Sequence, residues 1–410
     1  MSAPEPAISD VPHPFGHVAF RLFWLGRTLS SLAFQMSAVA LGWLIYDVTR
    51  SAASLGLVGL FQFAPQVVLT FLVGHVADRY DRRRIVAICQ AVQGVAVLVL
   101  TLGILAGWLH TAGIYAAVVV FGGARAFEQP TNSALLPGTV PAAILPRAVA
   151  VSSTAMQTAA ILGPALGGLL YGFGPWVPFA CAALAFAAAS LATASLRLER
   201  SPPRKAPATL ASVFSGLRFI WARPVVLGTI SLDLVAVLLG GATALLPIYA
   251  RDILHTGPWG LGLLRLAPAL GALSMGVAMS MMPLERKVGL KMFASVFVFG
   301  LATLVFAFST NVVLSVVALA VLGAADNISV VIRSSLVQLL TPHDMLGRVS
   351  AVNSLFIGTS NQLGEFESGM TAALFGAVPA AAIGGLGTMA VVLLWMKLFP
   401  ALRRADTYAE

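Results

Sequence analysis

Eight charged side chains lie inside long apolar stretches of this sequence, and they are the residues best placed to do chemistry. Five are acids and three are arginines: Arg125, Glu128, Asp233, Arg265, Asp326, Arg333, Glu365 and Glu367. A charge in a low-dielectric setting is costly unless it is paired or hydrated. There an acid favours its protonated form, so it can take up and release a proton as its access to water changes. The excess of acids over arginines predicts proton transfer.

Spacing along a helix limits what some of these charges can do. Arg125 and Glu128 are three residues apart, so they share a helical face and can neutralise each other. Structural pairing and a functional role are both open for them. Glu365 and Glu367 are two apart and point to different sides. We therefore expect one of the two, Glu365, to face a cavity.

Two further charges have simpler alternatives. Asp233 is a proton-coupling candidate, but it could equally be a hydrated residue lining a pore. Arg333 lies near the end of its apolar stretch, and a long basic side chain there can extend to the membrane surface. Arg333 is also a candidate for contact with substrate.

Uncharged polar side chains in the apolar stretches are further candidates for substrate contact. They are Gln35, Gln62, Gln66, Asn132, Gln157, Asn327, Asn361 and Gln362. Each one alone is explained equally well as a hydrogen bond between helices. The set predicts a polar cavity without identifying its ligand.

Other chemistries find no support in the sequence. The six histidines lie in loops, tails or at the ends of apolar stretches, and Cys89 and Cys181 fall inside apolar runs as small buried residues do. There is no phosphate-binding glycine loop and no nucleophile–base set. We expect no enzyme activity, metal or cofactor, and an energy source that is an ion gradient or the substrate gradient.

The elements that must position these residues are membrane-spanning helices. Of 410 residues, 58% are hydrophobic and 10% are charged, and the mean hydropathy is +0.90, whereas a soluble domain is about a quarter charged. The class is an all-α polytopic membrane protein. Apolar segments bounded by charges, glycine or proline predict twelve spans, at 22–46, 52–76, 85–107, 113–138, 149–172, 175–196, 225–248, 259–282, 289–309, 312–337, 350–375 and 377–399.

The basic residues orient these spans. With a cytoplasmic N-terminus, 20 of the 25 Lys and Arg residues fall on the cytoplasmic side, and only Arg50 and Arg251 fall on the other. That asymmetry is what the positive-inside rule requires. The net charge of +9 therefore describes membrane orientation and not a nucleic-acid surface. Residues 1–14 have no basic start, so we expect no cleavable signal and both termini in the cytoplasm.

One long connection divides the chain into two halves. Residues 197–224 are basic and proline-rich, and their amphipathic part, Leu210 to Trp221, predicts a helix on the membrane surface. We expect an N-terminal tail at 1–21, six-helix bundles at 22–196 and 225–400, and a C-terminal tail at 401–410.

The halves resemble each other in sequence. A shift of 201 residues places Gly122 on Gly323, and over the following fifty residues it also aligns further glycines, a proline and an arginine. The same shift places Arg125 on Asp326, so these two charges are candidates for pairing across a cavity. Internal repeats of this kind are typical of secondary transporters.

A short basic motif follows the second predicted span. Its residues are Gly74, Asp78, Arg79, Arg82, Arg83 and Arg84. The motif resembles the loop between helices 2 and 3 of the major facilitator superfamily, which implies a twelve-helix transporter working by alternating access. By the same resemblance, Asp78 helps to latch the cytoplasmic side, and we expect it near a helix N-terminus. The alternative is that the arginines only hold this loop in the cytoplasm.

A second motif narrows the branch. Gly163, Pro164, Gly167 and Gly168 resemble the helix-5 signature of exporters in that superfamily. Ordinary tight helix packing is the alternative. Residues 127–137 and 338–349 resemble the bacterial branch of proton-driven drug and siderophore exporters, and Arg125 resembles the helix-4 arginine that is linked to proton transfer in antiporters.

The resemblance implies a monomeric, proton-coupled antiporter in the bacterial inner membrane that exports a siderophore or an amphiphilic, multidrug-type small molecule. Its expected partners are protons, the substrate and the lipid bilayer. Other functions stay open: an importer or uncoupled facilitator of a small polar metabolite, a sensor, or a lipid flippase.

Overall fold

The computed structural model describes residues 13–197, 210–282 and 286–407, and within these ranges the chain is α-helical without β-strands. We label the long helices α1 to α12 in chain order. Their bounds are Val18–Thr49, Ala52–Arg79, Arg82–Leu105, Thr111–Leu135, Leu145–Tyr171, Val177–Ala194, Pro224–Leu239, Gly257–Met281, Val288–Phe308, Val312–Leu340, His343–Phe375 and Ala377–Leu398. The all-α polytopic class is confirmed.

Ten of these helices are long and apolar enough to cross a membrane. The other two, α4 and α11, have 25 and 33 residues. They are long enough, but they carry the charged residues singled out above: Arg125 and Glu128 in α4, and Glu365 and Glu367 in α11. The count of twelve spans therefore stays a prediction.

The chain forms two compact units by its own contacts. The first contains residues 1–40 and 64–207, and the second contains residues 41–63 and 208–410. The end of α1 and the start of α2 thus pack with the second unit. Gly56 marks this packing, because it lies against Gly369 of α11 so closely that any side chain at Gly369 would collide with it.

In the first unit, α3 packs along both α4 and α6. Phe121 and Phe186 meet edge to face, with ring centroids 5.9 Å apart, and Gly94 lets α3 approach Phe186. Gly167 of α5 lies against the Met36 carbonyl of α1, where an added Cβ atom would be 2.6 Å from that oxygen. Small residues thus set the separation of these helices.

In the second unit, α10 is the central helix, because α8 and α9 both pack along it, while α12 packs on α9. Gly271 and Gly323 bring α8 and α10 together, since a side chain on either would collide with a backbone carbonyl of the other helix. The core between α7, α9, α10 and α12 is apolar and includes Leu232, Phe293 and Val392.

Helix α7 ends early, at Leu239, and the chain continues as a 3₁₀ turn (Ala242–Leu245), a short α turn and a π turn (Tyr249–Ile253). Gly241 sits at this break, where an added Cβ atom would lie 2.6 Å from the Gly364 carbonyl oxygen of α11. The break therefore permits close contact between α7 and α11.

The connection between the units contains the expected helix. It runs from Leu210 to Ala222, with Ile220 buried in a small apolar cluster and Phe214 and Trp221 exposed. Gly216 allows it to lie against the Arg348 backbone of α11.

The basic motif differs from expectation in one respect. Helix α2 extends to Arg79, so Asp78 lies in its last turn and not at a helix N-terminus. Asp81 has that position instead: it caps α3, accepts a hydrogen bond from the Arg83 amide at 3.0 Å, and pairs with the Arg83 guanidinium at 3.3 Å. An acid is favourable at a helix N-terminus and unfavourable at a C-terminus, which explains why Asp81 is the cap. The side chain of Asp78 and the surroundings of Gly74 lie outside the part of the chain that the structure describes.

Candidate functional site

A buried carboxylate anchors the polar centre of the first unit. Glu128 of α4 is fully buried, and its oxygens accept hydrogen bonds from Ser30 of α1 at 2.5 Å, Gln90 at 3.1 Å and Gln93 at 2.8 Å, the last two from α3. These donors come from two other helices, α1 and α3. The same carboxylate therefore holds three helices together.

Arg125 completes this network from the same helix. Its guanidinium lies 3.5 Å from Glu128 and stacks over the ring of Phe34, 4.5 Å from the centroid. Arg125 and Glu128 thus form the ion pair that was one of the two alternatives for them, and Asn132 also reaches the carboxylate, at 3.4 Å. A functional role for the pair stays a prediction.

A second arginine belongs to this centre. Arg27, one of the 20 basic residues assigned to the cytoplasmic loops, tails and helix ends, lies within α1 and donates a hydrogen bond to Ser152 of α5 at 3.2 Å. Its charge interacts with those of both Arg125 and Glu128. The centre therefore contains two guanidinium groups and one carboxylate, and only Arg125 is in contact with the carboxylate in the described residues.

The second unit has a different buried ion pair. Arg333 of α10 binds Asp233 of α7 through a direct contact between Nη1 and Oδ2. Both side chains are buried, at 4% and 6% exposure. Arg333 therefore does not extend to the membrane surface, and Asp233 is not an open pore residue, because each satisfies the other's charge.

The remaining two acids meet at one cavity. A space of about 330 Å³ is bounded by α7, α8, α9, α10 and α11, and Asp326, Asn361 and Glu365 contribute its polar wall. The backbone break at Gly240 and Gly241 contributes another part of the wall. The sequence singled out all three polar residues, and the tertiary structure brings them together.

Glu365 has two notable neighbours. Gly59 of α2 faces it, and an added Cβ atom there would be 3.1 Å from Glu365 Oε2. Arg265 of α8 interacts electrostatically with Glu365, while its Nε atom is buried without a hydrogen-bond partner. Among the described residues, Asp326 and Glu365 form no ion pair within 4 Å.

A water-sized space in this unit is lined by both Asp233 and Asp326. Its volume is about 10 Å³, and Asp233, Asp326 and Ser329 line it. That volume holds one water molecule when polar partners surround it. The buried Ser329 hydroxyl has no other partner in the described part of the chain. Asp326 therefore faces both this small space and the larger cavity.

The other candidates lie apart from these groups. Glu367 accepts a hydrogen bond from Thr371 at 2.8 Å on its own helix. Gln35 packs against Gly163, Gln62 and Asn327 are half-buried, and Gln157 is exposed. Gly163, Gly167 and Gly168 are buried on α5. In the described ranges, no group of three or more His, Cys, Asp or Glu side chains is positioned to hold a metal ion.

Sequence reasoning missed several members of the site. Gln90 and Gln93 are three residues apart in an apolar helix, a spacing that puts two amides on one face and could have signalled a shared partner. The Asp233–Arg333 pairing had no such signal, because its members are 100 residues apart in the chain.

At the far end of α1, two more contacts also went unpredicted. Tyr46 binds Asp252, and Asp47 binds Arg251 of the π turn. They tie the end of α1 to the segment that follows α7, within the second unit.

Helices with apolar surfaces, buried charges and an acidic cavity define a multi-pass membrane transporter. The family model described as transmembrane secretion effector matches residues 11–409. The chain therefore belongs to that family, a branch of the major facilitator superfamily, and is a transporter and not an enzyme.

Relatives and solved structures agree with this class. The chain is 27% identical to the enterobactin exporter EntS of Citrobacter koseri over 95% of its length and 93% of the relative. It is 26% identical to EntS of Escherichia coli O139:H28, with the same coverage.

Among solved structures, a bacterial homologue of the iron transporter ferroportin matches with a TM-score of 0.71 and 16% identity, over 94% of this chain and 98% of the other. The D-xylose-proton symporter matches with a TM-score of 0.70 and 15% identity, with the same coverage. At these identities the structures show a shared fold alone.

Proposed function

We propose that this transporter exports a siderophore or an amphiphilic, drug-like molecule in exchange for protons. The observation that carries the proposal is the cavity of the second unit, where Asp326 and Glu365 face the same space without an ion-pair partner at contact distance. Carboxyl groups in such a setting change their protonation when access to water changes. The similarity to enterobactin exporters supports the outward direction and the siderophore class.

The roles within the site follow from its charges. While Glu365 is ionised, the guanidinium of Arg265 stabilises it. When Glu365 takes up a proton, Arg265 is released and can bind an anionic group. Asp326 takes part through the water-sized space beside Asp233. The Arg125–Glu128 centre of the first unit supplies positive charge for an anionic substrate.

The remaining features of the proposal concern the whole chain. It has twelve spans in two six-helix halves, at 22–196 and 225–400, with both termini in the cytoplasm, as the distribution of Lys and Arg supports. Gly74, Asp78, Arg79, Arg82, Arg83 and Arg84 act as the cytoplasmic latch, and the protein works as a monomer in the bacterial inner membrane.

The test is transport into everted membrane vesicles with an imposed pH gradient and enterobactin as the probe. We expect accumulation that depends on the gradient, and we expect Asp326→Asn and Glu365→Gln each to abolish it. Glu367→Gln is the matched control, because Glu367 bonds to Thr371 on its own helix, and it should keep transport.

Three other outcomes would contradict the proposal, each in a different part. Unchanged gradient-dependent transport in both cavity variants would refute the coupling site. Transport that follows the substrate gradient alone would indicate an uncoupled facilitator. If enterobactin is not moved, metabolites secreted by a deletion strain, compared with and without iron, identify the substrate.

A further inference from the structure

A second space in the second unit lies on the other side of α10 from the acidic cavity. Helices α8 and α9 both pack along α10, and an apolar groove of about 450 Å³ remains beside them. It is lined by Met275, Ala294, Val298, Val321, Ala324 and Ile328. Val298 and Val321 are 39% and 43% exposed, so the groove is open at its side and not an enclosed void.

One end of the groove is basic. Lys291, in the first turn of α9, is its one charged lining residue among those described. Lys287 is the N-cap residue of the same helix, and its side chain is exposed. Neither ammonium group has an ion-pair partner in the described ranges. Asp406, an acid at this end of the groove within the described residues, pairs with Arg286 at 3.7 Å and accepts a hydrogen bond from the Lys287 amide at 3.1 Å.

The N-terminus of α9 is already covered by the chain's own C-terminal segment, because the Val288 and Gly289 amides donate to the Asp406 and Ala405 carbonyl oxygens at 3.4 and 3.1 Å. The positive charge at this end therefore comes from Lys287 and Lys291, and the apolar groove starts at Lys291. Such an arrangement is complementary to a ligand with one anionic head and one long apolar chain.

The length of the groove fits one membrane leaflet. Lys291 and Val298 are seven residues apart, which is about 10 Å along a helix, and one leaflet contributes about 15 Å of the hydrocarbon core. An acyl chain that enters from the membrane surface at Lys291 can therefore follow this part of α9 within one leaflet. A water-soluble ligand would leave its apolar wall without a partner.

We propose that this groove binds one anionic phospholipid, with an acyl chain along α8, α9 and α10 and the phosphate group at Lys291 and Lys287. With the orientation proposed above, the lipid comes from the cytoplasmic leaflet; the binding itself does not depend on the transported substrate. Basic pockets between helices on that side of a membrane are suited to anionic headgroups.

The test uses the delipidated full-length protein in detergent, with native mass spectrometry for binding and thermal unfolding for stability. We expect phosphatidylglycerol to bind and to raise the unfolding midpoint more than phosphatidylethanolamine with identical chains. Inorganic phosphate alone should do neither. Lys291→Ala should lower the affinity for phosphatidylglycerol about fivefold, the effect of about one surface lysine, and higher salt should reduce the difference.

Two variants separate the chain from the headgroup. Lys397→Ala removes an exposed lysine in the last turn of α12 that does not line the groove, and it should leave binding unchanged. Ala324→Phe fills the groove and should block both lipids; Ala294→Leu fills the opposite wall and gives the same readout if the first variant does not fold. The proposal would be overturned if Lys291→Ala bound phosphatidylglycerol as tightly as the parent chain does. It would also be overturned if Lys397→Ala lost as much affinity as Lys291→Ala, or if both filled variants still bound lipid fully.

Discussion

At the scale of single residues, the buried charges fall into two groups. Glu128 and Asp233 are satisfied within their units: the first by donors from three helices and Arg125, the second by Arg333. Asp326 and Glu365 face a cavity, and neither has an ion-pair partner within 4 Å in the described ranges. Charges of the first group hold helices in place, whereas those of the second are free to change state.

The pairing of Asp233 with Arg333 gives a stability prediction. Because both side chains are buried, removing one leaves an uncompensated charge, which costs about 3–5 kcal/mol. Asp233→Leu and Arg333→Met should therefore each lower the unfolding midpoint of the purified protein, measured by intrinsic fluorescence.

The double variant Asp233→Leu, Arg333→Met is the control for this pair. Apolar side chains of similar size replace a buried pair at little cost, so the double variant should recover most of the lost stability. If its midpoint is as low as the sum of the two single effects, the two residues do not act as a pair.

At the scale of elements, glycines decide which helices touch. Gly163 and Gly167 bring α5 against α1, Gly271 and Gly323 bring α8 against α10, and Gly241 brings the break of α7 against α11. The helix-5 motif predicted from sequence thus has a physical role in packing. Whether it also marks an exporter stays a prediction.

Gly167→Ala tests this packing. Its Cβ atom would lie 2.6 Å from the Met36 carbonyl oxygen, so α1 and α5 must separate, at a cost of about 1–3 kcal/mol for overpacking. We expect a lower unfolding midpoint and reduced transport. Gly358→Ala is the matched control, since nothing lies within 4 Å of the added methyl group. Equal effects of the two variants would show that contact with α1 is not the cause.

At the scale of the whole molecule, the charge asymmetry and the helix order make a topology prediction. In a chain with Cys89 and Cys181 replaced, Thr310→Cys between α9 and α10 should react with a membrane-impermeant maleimide from the periplasm of intact cells. Tyr80→Cys, between α2 and α3, is 61% exposed and should react only in everted vesicles. The reverse pattern, or labelling of both from one side, would contradict the proposed orientation.

From the sequence alone we could predict the membrane class, the long helices and the identity of the buried charges. These properties are local, because the cost of placing a residue in a membrane and the length of a span depend on a few neighbouring residues. The pairing of Arg125 with Glu128 was predictable for the same reason, since one helical turn separates them.

Which of the buried charges have partners depends on the tertiary structure. Asp233 finds Arg333 across 100 residues of chain, and Glu128 takes its donors from α1 and α3. Asp326 and Glu365 share a cavity because the break of α7 and the glycines of α8 and α10 fix the helix separations. Partners at such distances depend on helix packing, which no local pattern contains.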